Sequence, residues 1–471
     1  MNIFKDKAKE IANLFPESIK ISKYLVEDEF AKFLNYVPDF LLCYHDLPFC
    51  PIEIKVTPYS NEFFVSSSKA SLVNHCLEKS YPFAIIVLND SCYLLSEDDG
   101  YKLHEPIALS EAASIIIARM TAITTTDVAS LAEDFREKLI LIARSISGLR
   151  EDTIAKIAEM TIDDLDWKNI KSSPTIISLS PEFEKKFFIA VLGSYSHSQV
   201  CRYTSRSTLN RILTTKKQSV CSIVGMNDKS ECYYADDYLA QRRGFSKSAP
   251  LSFYALNEYF ISSCSRMDTD SNEGSMSDNL TMWRMYAEEG EGVCMIFDID
   301  NDLMNSGYVL SPVSYGKIKD VLVPYDVDEE GNTMFELIGK EHYHPELDLI
   351  YALRFCKVGG YEYRFPNFDF WKHFFKAFEY RDEKEIRLMY EAKKGDKKKW
   401  IEGNNIFCPV IEKNIEEGKN QFPLILRKVI LGPKFKEKEV NVLQLSQMIP
   451  ECNIYKGHEV ECKMSEIDNY R

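Results

Sequence analysis

Two groups of residues in this sequence have types and spacings that chemistry could use. In the first, Pro38-Asp39 opens one short apolar run and Glu53-Ile54-Lys55 lies in the next. Strand side chains alternate faces, so Glu53 and Lys55 point the same way while Ile54 points into a core. A hairpin of the two runs brings Asp39 near that pair. Two carboxylates converging on one point suit a hard divalent cation, and a neighbouring lysine can stabilise phosphorane-like charge or hold an attacking water. The second group is spread over the C-terminal half: Arg202, Ser263-Cys264-Ser265, Trp283 with Tyr286, and Glu383-Lys384-Glu385. Arg202 supplies a planar fork suited to bidentate phosphate binding. Period-two alternation puts Glu383 and Glu385 on one strand face, away from Ile386 and Leu388. Trp283 and Tyr286, three apart on a helix, would meet on one side of it.

The elements that must position these residues follow from the apolar pattern. Residues 2–15 carry helical spacing (Ile3, Ala8, Ile11, Leu14), and Pro16 stops the helix. From Tyr36 to Val56 the pattern changes to two short strands around His45-Asp46-Leu47-Pro48, a hairpin signature. Residues 66–79 read as helix, Phe83–Leu88 as a buried strand, and Cys92–Leu95 as a further strand ending at Glu97-Asp98-Asp99-Gly100. This order closes an α/β unit near residue 105. Residues 106–190 are mostly helical by pattern, with breaks at Ser172-Ser173-Pro174 and Ser180-Pro181. Short strands, aromatics and turns then continue to Arg471. The expected fold class is α+β multidomain: an N-terminal α/β domain (1–105), a helical connector (106–190) and a C-terminal α+β domain (191–471).

Composition narrows the functional classes. The chain of 471 residues is too long for one ordinary core, and its 45% apolar content is that of a globular protein. With 72 acidic against 57 basic side chains the net charge is −15, which argues against broad duplex binding and leaves room for a local basic groove. The 13 cysteines are scattered without a CxxC pair, which reads as reduced thiols in a cytoplasmic protein. The N-terminus lacks a signal-peptide core, and no apolar run is long enough to span a bilayer. No GxSxG, HExxH or P-loop occurs. Gly290-Glu291-Gly292 lacks the third glycine of a dinucleotide loop, His342-Tyr343-His344 reads as loop rather than metal chemistry, and Lys393–Lys399 reads as a solvated turn around Gly395-Asp396.

The layout around Asp39, Glu53 and Lys55, with a following helix and the strand 83–88, resembles the PD-(D/E)xK nuclease superfamily over residues 1–105. That resemblance implies a bound Mg²⁺ at Asp39 and Glu53, a fourth acidic residue from the first helix, for which Glu10 is best placed, and nucleic acid as the ligand.

Separated stretches of the C-terminal half resemble a poorly characterised bacterial domain family often found near defence genes. They are Arg202-Tyr203, Asn227-Asp228 with Glu231, Ser263-Cys264-Ser265, Met282-Trp283-Arg284-Met285-Tyr286-Ala287 with Gly292-Val293, Glu383-Lys384-Glu385-Ile386-Arg387 and Ile430-Leu431-Gly432-Pro433. The order arginine, Ser-x-Ser, Glu-x-Glu also resembles the R-S-E layout of ADP-ribosyltransferases. That layout implies NAD gripped by Arg202, a ribose and a glutamate oriented by Ser263 or Ser265, positive charge at the ribose C1′ stabilised by Glu385, and an acceptor activated by Glu383. Trp283 and Tyr286 would wall the nicotinamide. Ser-Cys-Ser replaces the usual Ser-Thr-Ser, and the span from Ser265 to Glu383 implies an insertion around 300–375. Together the resemblances imply a bacterial anti-phage or toxin effector that modifies nucleic acid or protein and answers to an antitoxin or defence-system partner. A Mg²⁺-dependent nuclease with a C-terminal sensing domain, and an interaction scaffold of two inactive folds, are the competing classes.

Overall fold

Pro16 ends the first helix as its lack of an N–H requires: α1 spans Ile3–Ala12, and Ile19 N donates to Pro16 O where the chain turns. The structure, a computed structural model, describes residues 3–23, 38–44, 47–55, 65, 68–73, 76, 81–89, 91–124, 131–161, 171–172, 176–226, 229–242, 244, 257–267, 276–304, 307–327, 333–354, 356–393, 395–403, 406–415, 421–451 and 459–468. Among them the chain is a mixed α and β protein with five sheets. By internal contacts it divides into one unit of Met1–Phe187 with Asp348–Phe368, and another of Phe188–Leu347 with Asp369–Arg471.

The first unit opens with a five-stranded sheet in chain order: β1 (Ile19–Lys23), β2 (Phe40–Tyr44), β3 (Leu47–Lys55), β4 (Phe83–Leu88) and β5 (Ser91–Ser96). The β2–β3 pair is antiparallel, as the alternating runs suggest, while the expected turn residues His45 and Asp46 lie outside the described residues. β3 and β4 run parallel. All six residues of β4 are buried because both sheet faces are covered, which is why its sequence is apolar without alternation. Ile52, Ile54, Ile85 and Val87 pack with Ile11 and Ile116 on one face, and Ala84, Ile86 and Leu88 with Leu72 and Tyr101 on the other. Of the expected helix 66–79, residues 68–73 and Cys76 are described, and these are helical.

Helices α2 (Leu109–Thr124), α3 (Ala132–Ser145) and α4 (Glu151–Glu159) follow, then the short strands β6 (Lys171–Ser172) and β7 (Ile176–Ser178). Ser180-Pro181 starts a helix rather than interrupting one. Pro181 takes the first position of α5 (Pro181–Leu192), where its missing N–H costs nothing, and Ser180 Oγ accepts from Phe183 N at 3.2 Å.

The second unit contains β8 (Gln199–Thr204), α6 (Arg206–Thr215), β9 (Lys217–Ser222), α7 (Tyr234–Arg242), β10 (Tyr259–Arg266), α8 (Leu280–Tyr286), β11 (Val293–Ile299), β12 (Tyr308–Pro312), β13 (Ser314–Tyr315) and the long hairpin of β14 (Lys317–Val327) and β15 (Thr333–Tyr343). After α9 (Pro345–Arg354) come β16 (Lys357–Val358) and β17 (Tyr361–Arg364), which belong to the first unit: β17 pairs in parallel with β7. There Glu184, fully buried, accepts from Asn367 N and Asn367 Nδ2 at 3.0 Å. The chain then supplies β18 (Phe375–Lys376), β19 (Glu385–Glu391), β20 (Lys398–Gly403), β21 (Ile406–Asn414), β22 (Leu424–Leu431), α10 (Lys438–Glu451) and β23 (Glu461–Met464).

Ten of these strands form one sheet in the order β20-β21-β9-β10-β8-β11-β22-β23, with β19 on β10 and β12 on β19. β10 is where the sheet forks. One edge pairs with β19 from Tyr259 to Ser265, while the other pairs with β9 at Phe260–Ile261 and with β8 at Ser265–Arg266. Leu209 and Leu213 of α6 and Ile449 of α10 cover one face with Val200, Phe260, Ile386 and Leu388. Met282 and Trp283 of α8 pack on the other with Cys201, Tyr203 and Cys294. Gly292 and Gly432 are close-approach positions: a Cβ would lie 2.4 Å from Thr204 O at the first and 2.2 Å from Gly290 O at the second. No helix among the described residues is long and apolar enough to cross a membrane.

Candidate functional site

The β10–β19 ladder sets Ser263 opposite Arg387 and Ser265 opposite Glu385. Because Ile386 and Leu388 point into the apolar cluster, Glu385 and Arg387 point to the other face of β19. There they join a buried ionic cluster. Arg387 donates from Nε to Glu385 Oε1 and from Nη2 to Glu385 Oε2, both at 2.8 Å, from Nη2 to Glu231 Oε2 at 3.0 Å, and from Nη1 to His373 O. Lys376 Nζ reaches Glu383 Oε2 at 2.7 Å, Glu231 Oε1 at 2.9 Å and Glu385 Oε2 at 3.0 Å. Tyr286 OH donates to Glu383 Oε1 at 2.5 Å, and Glu385 N donates to Tyr315 OH at 2.8 Å. Three carboxylates thus surround two cations, leaving one negative charge in excess among groups that are each less than a tenth exposed.

Burial alone would push the Glu385 carboxyl up. The adjacent Arg387 and Lys376 and the hydrogen bonds from Arg387 and Ser263 overcome it and hold the group at about 2. Glu231 goes the other way, since its burial outweighs the same two cations. Lys376 is raised: the surrounding carboxylates, Glu385 above all, overcome the cost of burying its charge. The Tyr286 phenol is pushed up by burial and by donating to Glu383. His373, wholly buried beside Lys372 and Arg387, is held neutral.

A cavity of ≈ 230 Å³ lies over the fork of β10. Arg202, Ser263, Ser265, Tyr286, Glu383 and Glu385 all border it. The structure therefore brings together six of the seven residues of the C-terminal group that were given a role, with corrections of detail. Trp283 is not a wall of this cavity. It is fully buried, edge-to-face with Tyr203 at 4.8 Å, and its Nε1 donates to Asp278 Oδ1 at 2.7 Å. Glu383 does not share the strand face of Glu385: it ends a 3₁₀ turn (Phe378–Glu383), and Lys384, with φ 44°, turns the chain into β19. The two carboxylates meet through Lys376. Arg202 donates from Nη1 to Ser262 Oγ at 2.7 Å, and Ser262 faces away from Ser263 and Ser265 along β10.

Sequence reasoning gave no role to Arg387, Glu231, Lys376 or Tyr315. Arg387 could have been found, because it stands two residues from Glu385 on the same strand face. Lys376 could not: its place depends on the parallel pairing of β13 with β18, where Ser314 lies opposite Phe375 and Tyr315 opposite Lys376. Asn227 and Asp228 lie outside the described residues.

In the first unit Asp39 Oδ2 accepts from Ile54 N at 2.7 Å, Glu53 is buried, and Lys55 pairs with it. Burial raises the Asp39 carboxyl against that hydrogen bond, and the Glu53 charge adds to the rise. Glu10 is exposed and pairs with Lys7 at 3.0 Å. No group of three or more His, Cys, Asp or Glu placed to hold a metal ion occurs among the described residues. His342 and His344 take separate partners, Glu379 at 3.5 Å and Glu346 at 3.3 Å.

No curated protein and no solved structure matches the chain. Residues 282–388 match a family described as "Protein of unknown function (DUF2971)", a stretch that includes Tyr286, Lys376, Glu383, Glu385 and Arg387 and leaves out Arg202, Ser263 and Ser265.

Proposed function

We propose that the second unit is an NAD-dependent ADP-ribosyltransferase acting on nucleic acid or protein, in the manner of an anti-phage or toxin effector. The observation that carries this reading is the buried cluster in which Glu231, Glu383 and Glu385 outnumber Lys376 and Arg387, with its three carboxylates on the wall of a cavity that Arg202 also borders. A fixed, water-poor negative charge favours a cationic nicotinamide ring and, more strongly, the oxocarbenium-like ribose that forms as the ring leaves. Glu385 is bound by two cations and Glu383 by one cation and a phenol, which makes Glu383 the carboxylate with charge to spare. We therefore assign stabilisation of the C1′ cation to Glu383 and the ordering of Lys376 and Arg387 to Glu385. Ser263, through its hydrogen bond to Glu385, helps fix that order. Ligand pockets usually run from roughly 300 to 1,000 Å³, so a cavity of ≈ 230 Å³ suits the nicotinamide–ribose end of a dinucleotide rather than its whole length.

The test is incubation of the purified chain with radiolabelled NAD and separate RNA, DNA and protein pools, beside Glu383→Gln. Label transferred by the wild type and lost in the variant supports the assignment and identifies the acceptor. NAD left intact with every pool refutes it.

For the first unit we propose nucleic-acid binding in the manner of a PD-(D/E)xK domain, supported by the convergence of Asp39, Glu53 and Lys55 at the start of β2 and the end of β3. Asp39 and Glu53 would hold a Mg²⁺ ion there, with substrate oxygens and water supplying its other ligands. Mg²⁺-dependent cleavage that persists in Asp39→Ala would remove this reading.

A further inference from the structure

We propose that β20 is a two-fold interface through which two copies of this chain join their ten-stranded sheets edge to edge. β20 ends the sheet and pairs only with β21 among the described residues, from Lys398 opposite Ile411 to Gly403 opposite Ile406. Its outer backbone groups are thus open to another strand. Large apolar side chains are exposed on this hairpin: Trp400 at 62%, Phe407 at 73% and Ile401 at 43%. Trp400 and Phe407 share a face with Ile411, so they extend the apolar layer of the core past the last strand.

The occupant follows from the sequence of the strand, Lys398-Lys399-Trp400-Ile401-Glu402. An antiparallel pair centred on Trp400 sets Trp400 against its own copy, Lys398 against Glu402 of the second chain, and Glu402 against its Lys398. The two ion pairs are copies of one contact related by the two-fold, and both lie on the face of the tryptophans. Lysines on an edge usually repel a second strand. Here each is already answered within its own chain, Lys398 by Glu258 and Lys399 by Glu412, both at 2.7 Å. Glu402, exposed, has no ion-pair partner among the described residues, and the Lys398 ammonium has three donors, enough to serve Glu258 and a second carboxylate. The basic run Lys393–Lys399 therefore divides in two. Its first part is the expected turn, where Asp396 Oδ2 accepts from Lys393 N and Tyr390 OH, and its last part is strand.

Sedimentation velocity on the full chain, up to about 0.1 mM because one added strand pair makes a small interface, tests the proposal. The wild type is expected to dimerise and Trp400→Lys to remain monomeric with an unchanged melting curve. Lys398→Glu and Glu402→Lys are each expected to weaken the dimer by about tenfold. Mixing those two variants restores both ion pairs in the heterodimer and should recover association. A monomeric wild type at the highest concentration overturns the proposal, as does undiminished dimerisation of Trp400→Lys or failure of the mixture to recover. A monomeric chain that binds single-stranded RNA through these lysines also overturns it, since the edge then serves nucleic acid.

Discussion

Replacing Arg387 by Met should destabilise the second unit by an amount that depends on pH. The guanidinium is 1% exposed and makes four hydrogen bonds, three to carboxylates and one to the His373 carbonyl. Methionine fills similar space and leaves Glu385 and Glu231 facing one cation, Lys376. Breaking a buried pair by removing one partner costs about 3–5 kcal/mol. The Glu385 carboxyl points to a similar size: its fall from an ordinary 4.5 to about 2 corresponds to about 3 kcal/mol of stability, with Arg387 first among the groups that lower it, ahead of Lys376 and Ser263. The sign follows from the direction. A depressed carboxyl contributes its stability in full above 4.5 and loses it as pH falls through about 2. In the variant the burial of Glu385 is left less compensated, its carboxyl rises, and protonation relieves the penalty as pH falls. Glu231 behaves the same way in the variant, being already raised in the wild type. The difference between wild type and variant in urea unfolding should therefore be largest near neutral pH and shrink steadily toward pH 3. Equal stability at neutral pH, or a difference that does not change with pH, would refute the reasoning.

Gly292→Ala should destabilise the same unit by about 1–3 kcal/mol in thermal unfolding, because its Cβ would meet Thr204 O at 2.4 Å and the Ala287 carbonyl carbon at 2.9 Å, backbone that cannot step aside. Glu184→Ala removes the buried carboxylate that accepts from Asn367 N and Nδ2, and should cost about 1–2 kcal/mol, read as a loss of hydrogen-exchange protection in β7 and β17. Glu184→Gln, which keeps an acceptor oxygen, should recover part of it.

What the sequence made legible was local. The uninterrupted apolar run Phe83–Leu88 reads as a strand covered on both faces, and the two runs between Tyr36 and Val56 read as a hairpin. The face shared by Glu385 and Arg387 follows from period two in the same way. Trp283 and Tyr286 show why the rest was harder. Their spacing puts both on one side of α8, but whether a side chain meets a cavity or a core is decided by what packs there, and the two residues divide. The separation of Glu383 from β19 depends on a left-handed Lys384, a conformation its side chain does not advertise. The fork of β10 and the capture of Lys376 by three glutamates depend on pairings between distant segments, which no window of sequence contains.

The return of residues 348–368 to the first unit sets an order on synthesis. β7 waits for β17, and Glu184 for Asn367, a partner 183 residues further along the chain. When Ser178 leaves the ribosome, β6 is already made, but β17, which will lie on its other side, is not, and β8 to β15 must emerge first. A long closure of this kind folds slowly. It also means that no single cut separates the units: cleavage near residue 190 leaves β7 paired with β6 alone, without β17, and removes the acceptor of Asn367 from the other fragment. Two fragments made separately should therefore fold poorly, while the same two mixed from the unfolded state have a reason to find each other.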